Sequence, residues 1–275
     1  MVRLVALDMD GTLLNSRLEI SEANRKAIAL ACENGARIVL CSGRPIKGLV
    51  RYIEELGLYN DEEFLIGFNG ALVVQAKSKK RVYEQGMSGK DAKVLARTAS
   101  EIGANCIIHF ADHAMTPVEN FYSTLEATVN GIPLVIGDPE TIDDHATVMK
   151  VLFLDYEHIL EGYLPRIPEA IRQKHELVRT APFFLEFLDK GLSKYSALSA
   201  LARELGIGNE EVMAIGDSEN DYEMIKYSGV GVAMGNAADE IKKAAKLVTR
   251  TEDEDGVAYA LNKVMNLGME EFKGG

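Results

Sequence analysis

Apolar residues along this chain fall first into a short continuous run, Leu4 to Leu7, and then into two helical stripes separated by a second run. A continuous run of this length suits a strand buried on both faces, as in a parallel sheet. After Asn15 to Leu18, Ser21 is placed to cap a helix whose Ala27, Ile28, Leu30 and Ala31 face inward, with Gly35 at its C′ position. Ala36 to Cys41 reads as the second strand. Pro45 opens a further helix with Ile46, Leu49, Val50, Ile53 and Leu56 on one stripe, ended by Gly57. Phe64 to Phe68, Asn69-Gly70 and Ala71 to Val74 then read as strand, turn and strand. Strand and helix alternate as in an α/β fold with a doubly wound, mostly parallel sheet.

The rhythm changes near Arg81, where short strands and hairpins mix with helices until about Leu188. Helices are expected over Ser88 to Ile102, Val118 to Asn130 and Tyr156 to Lys174. Strands are expected over Cys106 to Phe110, Thr147 to Leu154, His175 to Arg179 and Phe183 to Leu188. From Ser193 the alternation returns: a helix to Leu205, a strand Val212 to Ile215, a helix after Ser218, a strand Val230 to Ala233, then helix, strand and a last helix near Ala258. The expected organisation is a discontinuous core of residues 1–82 and 189–275 with an inserted α/β domain over 83–188.

The chemistry collects where strands end. Asp8, Met9, Asp10, Gly11 and Thr12 follow the first strand, and in extended chain Asp8 and Asp10 point one way while Met9 turns back. A solvated turn after an edge strand would be the bland alternative. Ser42-Gly43-Arg44 follows the second strand, giving a hydroxyl, an approachable backbone N–H and a helix start. Lys194 opens the helix after the insertion, and Gly216-Asp217-Ser218-Glu219-Asn220-Asp221 follows the strand from Val212. In a parallel sheet these four segments share the carboxyl edge, where ligands bind. Asp8, Asp10, Asp217 and Asp221 repel one another unless a cation joins them or some hold protons, and an oxygen-only set suits Mg²⁺. Ser42, Gly43 and Lys194 supply donors to phosphoryl oxygens, which makes phosphoryl transfer the chemistry expected.

Composition narrows the partners. The 275 residues are 47% hydrophobic, ample for packed cores, and the formal charge of −12 disfavours general nucleic-acid binding without excluding a small phosphate ligand. No stretch has the length of a membrane span, and the first strand leaves no room for a secretory signal. Cys32, Cys41 and Cys106 have no metal-type spacing and read as reduced core thiols, giving a cytoplasmic expectation. The partner expected is a small phosphorylated metabolite, with no nucleic acid and no membrane.

The segments DMDGT (Asp8 to Thr12), SGR (Ser42 to Arg44), Lys194 and GDSEND (Gly216 to Asp221) resemble the four motifs of the haloacid-dehalogenase-like phosphatases. The insertion, NGA at Asn69 to Ala71 and MGNA at Met234 to Ala237 resemble the Cof-type branch, whose α/β cap lies there. The resemblance implies a Rossmann-like core and a Mg²⁺-dependent phosphatase of small phosphomonoesters, sugar phosphates or phosphorylated cofactors. It implies Asp8 as the nucleophile forming an aspartyl-phosphate, and Asp10 as general acid and then base. It places Mg²⁺ on the Asp8 carboxylate, the Asp10 backbone carbonyl and Asp217, with Asp221 in support. The Met9 N–H, Ser42, Gly43, Lys194 and Asn220 would bind the phosphoryl group, Thr12 would support the Asp8 loop, and Arg44 would brace the helix or reach phosphate or cap. The cap would exclude water and select the substrate, with His109, His113 and Glu186 as candidates for contact, although such scattered residues are more often structural. Tyr195 follows Lys194 where this branch usually has glycine, so the ring is expected to shift the helix start or take up cap space. A sugar phosphomutase or a non-catalytic phosphate-ligand sensor on the same fold are the alternatives; a receiver domain or a dinucleotide module would need other motifs after its strands.

Overall fold

A computed structural model describes residues 1–269, with the backbone alone at Thr180 and Ala181. The chain divides into two compact units: residues 1–43, 49–83 and 193 onward form the first, and residues 44–48 and 84–192 the second.

The first unit is built on an eight-stranded sheet. Across the sheet the strands run Leu247–Val248, Val230–Ala233, Val212–Gly216, Leu4–Asp8, Arg37–Cys41, Phe64–Gly67, Leu72–Gln75 and Arg81–Glu84. The six from Leu247–Val248 to Phe64–Gly67 are parallel neighbours, and Leu72–Gln75 turns back antiparallel. Leu4–Asp8 is therefore central and wholly buried, which removes the edge-strand alternative for its acidic end. Alternate residues Leu4 and Ala6, Val39 and Cys41, Phe64 and Ile66, and Val212 and Ala214 pack with Ala197, Leu198 and Leu201 of the helix Lys194–Glu204. A one-residue slip would turn that set away from the helix, so burial fixes the register. The helices Glu22–Glu33 and Gly256–Met265 pack on each other, and the buried Asn24 side chain accepts the Ala258 N–H at 2.9 Å.

Local signals set the ends of these elements. Ser21 caps Glu22–Glu33 by accepting the Asn24 N–H, and Gly35 follows it at φ +86°. On Ile46–Glu55 the buried face includes Tyr52 as well as Ile46, Leu49 and Ile53, while Val50 is only half-buried. Glu63, just before Phe64–Gly67, is buried with its carboxylate accepting the Ile38 N–H. The hairpin after Gly67 differs from a two-residue turn: Phe68, Asn69 and Gly70 all have positive φ, in a tight turn closed by the Ala71 N–H donating to the Phe68 carbonyl at 3.2 Å.

The second unit has its own six-stranded sheet, ordered His175–Ala181, Phe184–Asp189, Lys150–Leu154, Asn105–His109, Ala114–Thr116 and Leu134–Ile136. One face packs Ile108, Val151, Phe153 and Phe187 against Leu95 and Ala99 of the helix Gly89–Ile102; the other packs Ile107, Leu152 and Leu154 with Ala127 and Ile132. The expected helix Tyr156 to Lys174 is broken into Glu157–Tyr163, a 3₁₀ turn Leu164–Arg166 and Glu169–Lys174. Pro168 ends the helical run, Ile167 before it being extended at ψ 122°, while Pro165 only removes an N–H where the helix tightens, Leu164 before it staying helical. Asn120 and Ser123 form a capping box that starts the preceding helix at Phe121 rather than Val118. Thr147–Val148 leaves the main sheet to pair with Met87–Ser88. Among the described residues, no helix is long and apolar enough to cross a membrane.

Candidate active site

Three parallel strands of the first unit end side by side: Leu4–Asp8 lies between Arg37–Cys41 and Val212–Gly216. The sheet therefore brings Asp8, Ser42 and Asp217 to one edge. Asp8 closes its strand with its side chain 8% exposed, and Met9 is wholly buried. Gly11, at φ +78°, turns the chain; a Cβ there would lie 2.6 Å from Asp217 Oδ2. Glycine is thus required both for the backbone and for the approach of the second acidic segment. The Thr12 hydroxyl donates to Asp217 Oδ1 at 3.0 Å, so Thr12 positions Asp217 across the turn. Asn236, from the MGNA segment, donates its Nδ2 to the Gly11 carbonyl at 2.8 Å and holds the same turn from the other side.

Lys194 opens its helix under a capping box between Ser193 and Ser196, and its side chain is 1% exposed. Its Nζ donates to Asp8 Oδ1 at 2.5 Å and to Asp221 Oδ1 at 2.7 Å. The other Asp221 oxygen accepts the N–H groups of Asp217 and Ser218, both at 3.1 Å. Asp221 is thus a fully paired, wholly buried anchor that shapes the loop and orients the lysine. Asp8, Asp217 and Asp221 each offer a carboxylate oxygen within 4.8 Å of the others. Asp10 is exposed at the turn and stands outside that side-chain group, its expected part in metal binding being through its backbone carbonyl.

The electrostatics follow from burial. Desolvation, then Asp221, drives the Asp8 carboxyl well above the usual carboxylate range, and the Lys194 ammonium works against that rise. Asp217 is raised by burial and by Asp221. Burial would lower the Lys194 ammonium, but Asp221 and Asp8 overcome it and hold the lysine protonated. One lysine faces three carboxylates, a set that a divalent cation completes electrostatically. The donors are all oxygen, which suits Mg²⁺, and the Gly11 cradle keeps Asp217 close to Asp8.

Ser42 is buried at the end of its strand, its N–H donating to Ile66 and its carbonyl accepting the Asn69 N–H at 3.0 Å. Gly43 follows it, half-buried. Asn220 donates its Nδ2 to Asn69 Oδ1 at 3.0 Å. Arg44 falls in the second unit, where its positive charge favours ionised Glu126. Tyr195 does not displace the helix start, which stays at Lys194, and its ring lies against Tyr227, centroids 5.3 Å apart, beside a cavity of about 60 Å³ shared with Leu198, Ala202 and Ser228. Cys41 and Cys106 are buried and Cys32 is half-buried; all three are free thiols, and burial pushes Cys32 and Cys106 up to about 12.

In the second unit, His109 and Glu186 belong to a buried charged group that the strand pattern did not expose. Lys150 Nζ lies 2.8 Å from Glu186 Oε1 and 3.9 Å from Glu126 Oε1, and His109 Nε2 lies 3.5 Å from Glu126 Oε1. Burial and Lys150 hold His109 neutral, while Glu186 and Glu126 keep Lys150 charged against its burial. A lysine inside the apolar run Met149 to Leu154 was the available signal. His113 instead stacks on Phe110, ring centroids 4.5 Å apart, with Nδ1 2.7 Å from Asp112.

Comparison with known proteins agrees with this geometry. The family profile described as haloacid dehalogenase-like hydrolase matches residues 5–261. The Bacillus subtilis protein named "Putative phosphatase YxeH" is 38% identical over 269 residues, covering 96% of this chain and 99% of its own. The 5-amino-6-(5-phospho-D-ribitylamino)uracil phosphatase YcsE of the same organism is 34% identical over 267 residues, 94% of either chain. A haloacid dehalogenase-like hydrolase from Bacteroides thetaiotaomicron superposes with a TM-score of 0.86 at 35% identity, covering 96% of this chain and all of its own.

Proposed function

The chain belongs to the haloacid dehalogenase-like hydrolases and is a phosphatase of small phosphorylated substrates, and on that premise we propose that Asp8 attacks the phosphoryl group and carries it as an aspartyl-phosphate. The observation that supports this reading most directly is the meeting of Asp8, Lys194, Asp217 and Asp221 at the end of the central strand. In the first half-reaction the bond from Asp8 oxygen to phosphorus forms as the ester P–O bond breaks, and Asp10 gives its proton to the departing alkoxide. In the second half-reaction Asp10 takes a proton from water, the water oxygen bonds to phosphorus, and Asp8 is released. The exposure of Asp10 suits a residue that exchanges protons with solvent between turnovers.

Mg²⁺ would be held by the Asp8 carboxylate, the Asp10 carbonyl and Asp217, with Asp221 beside them. When bound, it supplies positive charge that offsets the repulsion between phosphoryl oxygens and these carboxylates. The Met9 N–H, Ser42, Gly43, Lys194 and Asn220 would bind the phosphoryl oxygens, Lys194 already being charged and fixed by two carboxylates. The substrate we propose is a phosphorylated sugar, polyol or cofactor; the ribityl phosphate in the name of one relative is of this class.

A panel of such esters assayed for Mg²⁺-dependent phosphate release, with Asp8→Asn alongside, tests the reading. Wild-type protein should release phosphate and the variant should fold but not turn over. Phosphate release by Asp8→Asn at the wild-type rate would overturn the nucleophile assignment, and transfer to a second position of the sugar in place of release would make the protein a mutase.

A further inference from the structure

The turn Phe68–Gly70 holds three successive residues at positive φ, 53°, 57° and 107°, and two of them carry side chains. Backbone of this kind is costly outside glycine, asparagine being the side chain that tolerates it best, and it persists only where its surroundings impose it. Here the surroundings are parts of the candidate site. The Asn69 N–H is spent on the Ser42 carbonyl. A Cβ on Gly43 would lie 3.1 Å from Asn69 Oδ1 and 3.2 Å from its Nδ2, so the amide rests on the face of that glycine. A Cβ on Gly70 would stand 2.3 Å from the Ser193 carbonyl oxygen, so the same turn abuts the residue that caps the lysine helix. Asn69 Oδ1 takes an N–H of Asn220.

We propose that Asn69 is a positioning residue for phosphoryl binding, fixing the orientation of the Asn220 amide. An amide group has two N–H donors and one acceptor oxygen. With one N–H committed to Asn69, the second stays available to a phosphoryl oxygen, and a rotated amide would set carbonyl oxygen against carbonyl oxygen. Nothing else among the described residues fixes the rotation from the other end, since Asn220 Oδ1 is buried with no hydrogen-bond partner. Asn69 is itself only 4% exposed, so water competes poorly for its oxygen. The inference rests on the reading of Asn220 as a phosphoryl contact and adds to it the residue through which that contact is aimed.

Asn69→Gly separates the backbone role of this position from that of its side chain, because glycine keeps the left-handed turn and removes the amide with its acceptor oxygen. Inorganic phosphate affinity in the presence of Mg²⁺, measured by calorimetry on wild type, N69G, N220A and the double variant, forms a double-mutant cycle that needs no turnover. N69G should weaken phosphate binding about tenfold, the worth of one hydrogen bond to a charged group, measured below its thermal midpoint, which loss of the buried amide lowers. The double variant should bind no more weakly than N220A. With an ester substrate, KM should rise more than kcat falls. In wild-type protein, phosphate titration followed by side-chain amide NMR should move the Asn220 proton that Asn69 does not engage, a readout that stands even if N69G folds poorly. Wild-type phosphate affinity in N69G, multiplicative losses in the double variant, or an unmoved Asn220 proton would each overturn the assignment. A cycle that couples in a protein without phosphatase activity would uphold Asn69 and sink the catalytic reading; an active enzyme with uncoupled losses would do the reverse.

Discussion

Glu63 provides a test of the sheet that carries the site. Its carboxyl is buried, and desolvation pushes it from 4.5 up to about 7, against the pull of the Ile38 N–H and Arg37 and with a push from Glu62. The native carboxyl therefore holds its proton more tightly than the unfolded chain does. The associated stability is fully present below pH 4.5, is lost as pH rises toward 7, and is gone above it. At roughly 1.4 kcal/mol for each pH unit the loss sums to about 3 kcal/mol. Glu63→Gln keeps an oxygen for the Ile38 N–H and has no proton to lose. Urea unfolding of both proteins at about pH 5 and about pH 8 should find them closer at the lower pH and the variant ahead by about 2–3 kcal/mol at the higher. A stability gap that does not change with pH would refute the reasoning, since it would mean that Glu63 gains solvent or a cation on ionising.

Gly11→Ala forces a side chain into left-handed backbone and sets a Cβ 2.6 Å from Asp217 Oδ2. Displacement of that carboxylate should weaken Mg²⁺ binding by about tenfold or more, read by metal titration. Tyr195→Gly strips the ring from Tyr227 and adds a helical glycine. The cost should be about 2–3 kcal/mol of stability, since the ring is only half-buried, with KM for the best ester unchanged, because the ring packs on Tyr227. A moved KM at unchanged stability would place the ring at the substrate instead.

Features written in neighbouring residues were legible in the sequence. Ser21, Gly35 and Ser193 punctuate their helices by contacts within a few positions, and the strand ends at Asp8, Cys41 and Gly216 follow from buried runs that stop at polar residues. The shared edge of those strands followed from the parallel pattern, and the order of the sheet brings Asp8, Lys194 and Asp217 together as that pattern required. What the sequence hid depends on distant partners. Asn69 meets Asn220 across 151 positions and Lys150 meets Glu186 across 36, so neither pairing has a local signature. Phe68 looked like the last residue of a strand, yet tertiary packing turns it to φ 53°. The prolines at 165 and 168 did carry a visible signal, which the helical spacing of the apolar residues outweighed.

The central strand Leu4–Asp8 takes one neighbour from Arg37–Cys41 and the other from Val212–Gly216. During synthesis, the first of these pairings can close once Cys41 has emerged, while the second must wait until Gly216 leaves the ribosome. Until then one side of the strand offers unpaired N–H and C=O groups, and Asp8 has neither Lys194 nor Asp221 beside it. A prematurely terminated chain would therefore have Asp8 without Lys194, Asp217 or Asp221 beside it, and an open sheet edge inviting aggregation. Closing so long a loop also makes this pairing slow. The acidic group at the end of the central strand is thus assembled only once the last three strands, Val212–Gly216, Val230–Ala233 and Leu247–Val248, arrive.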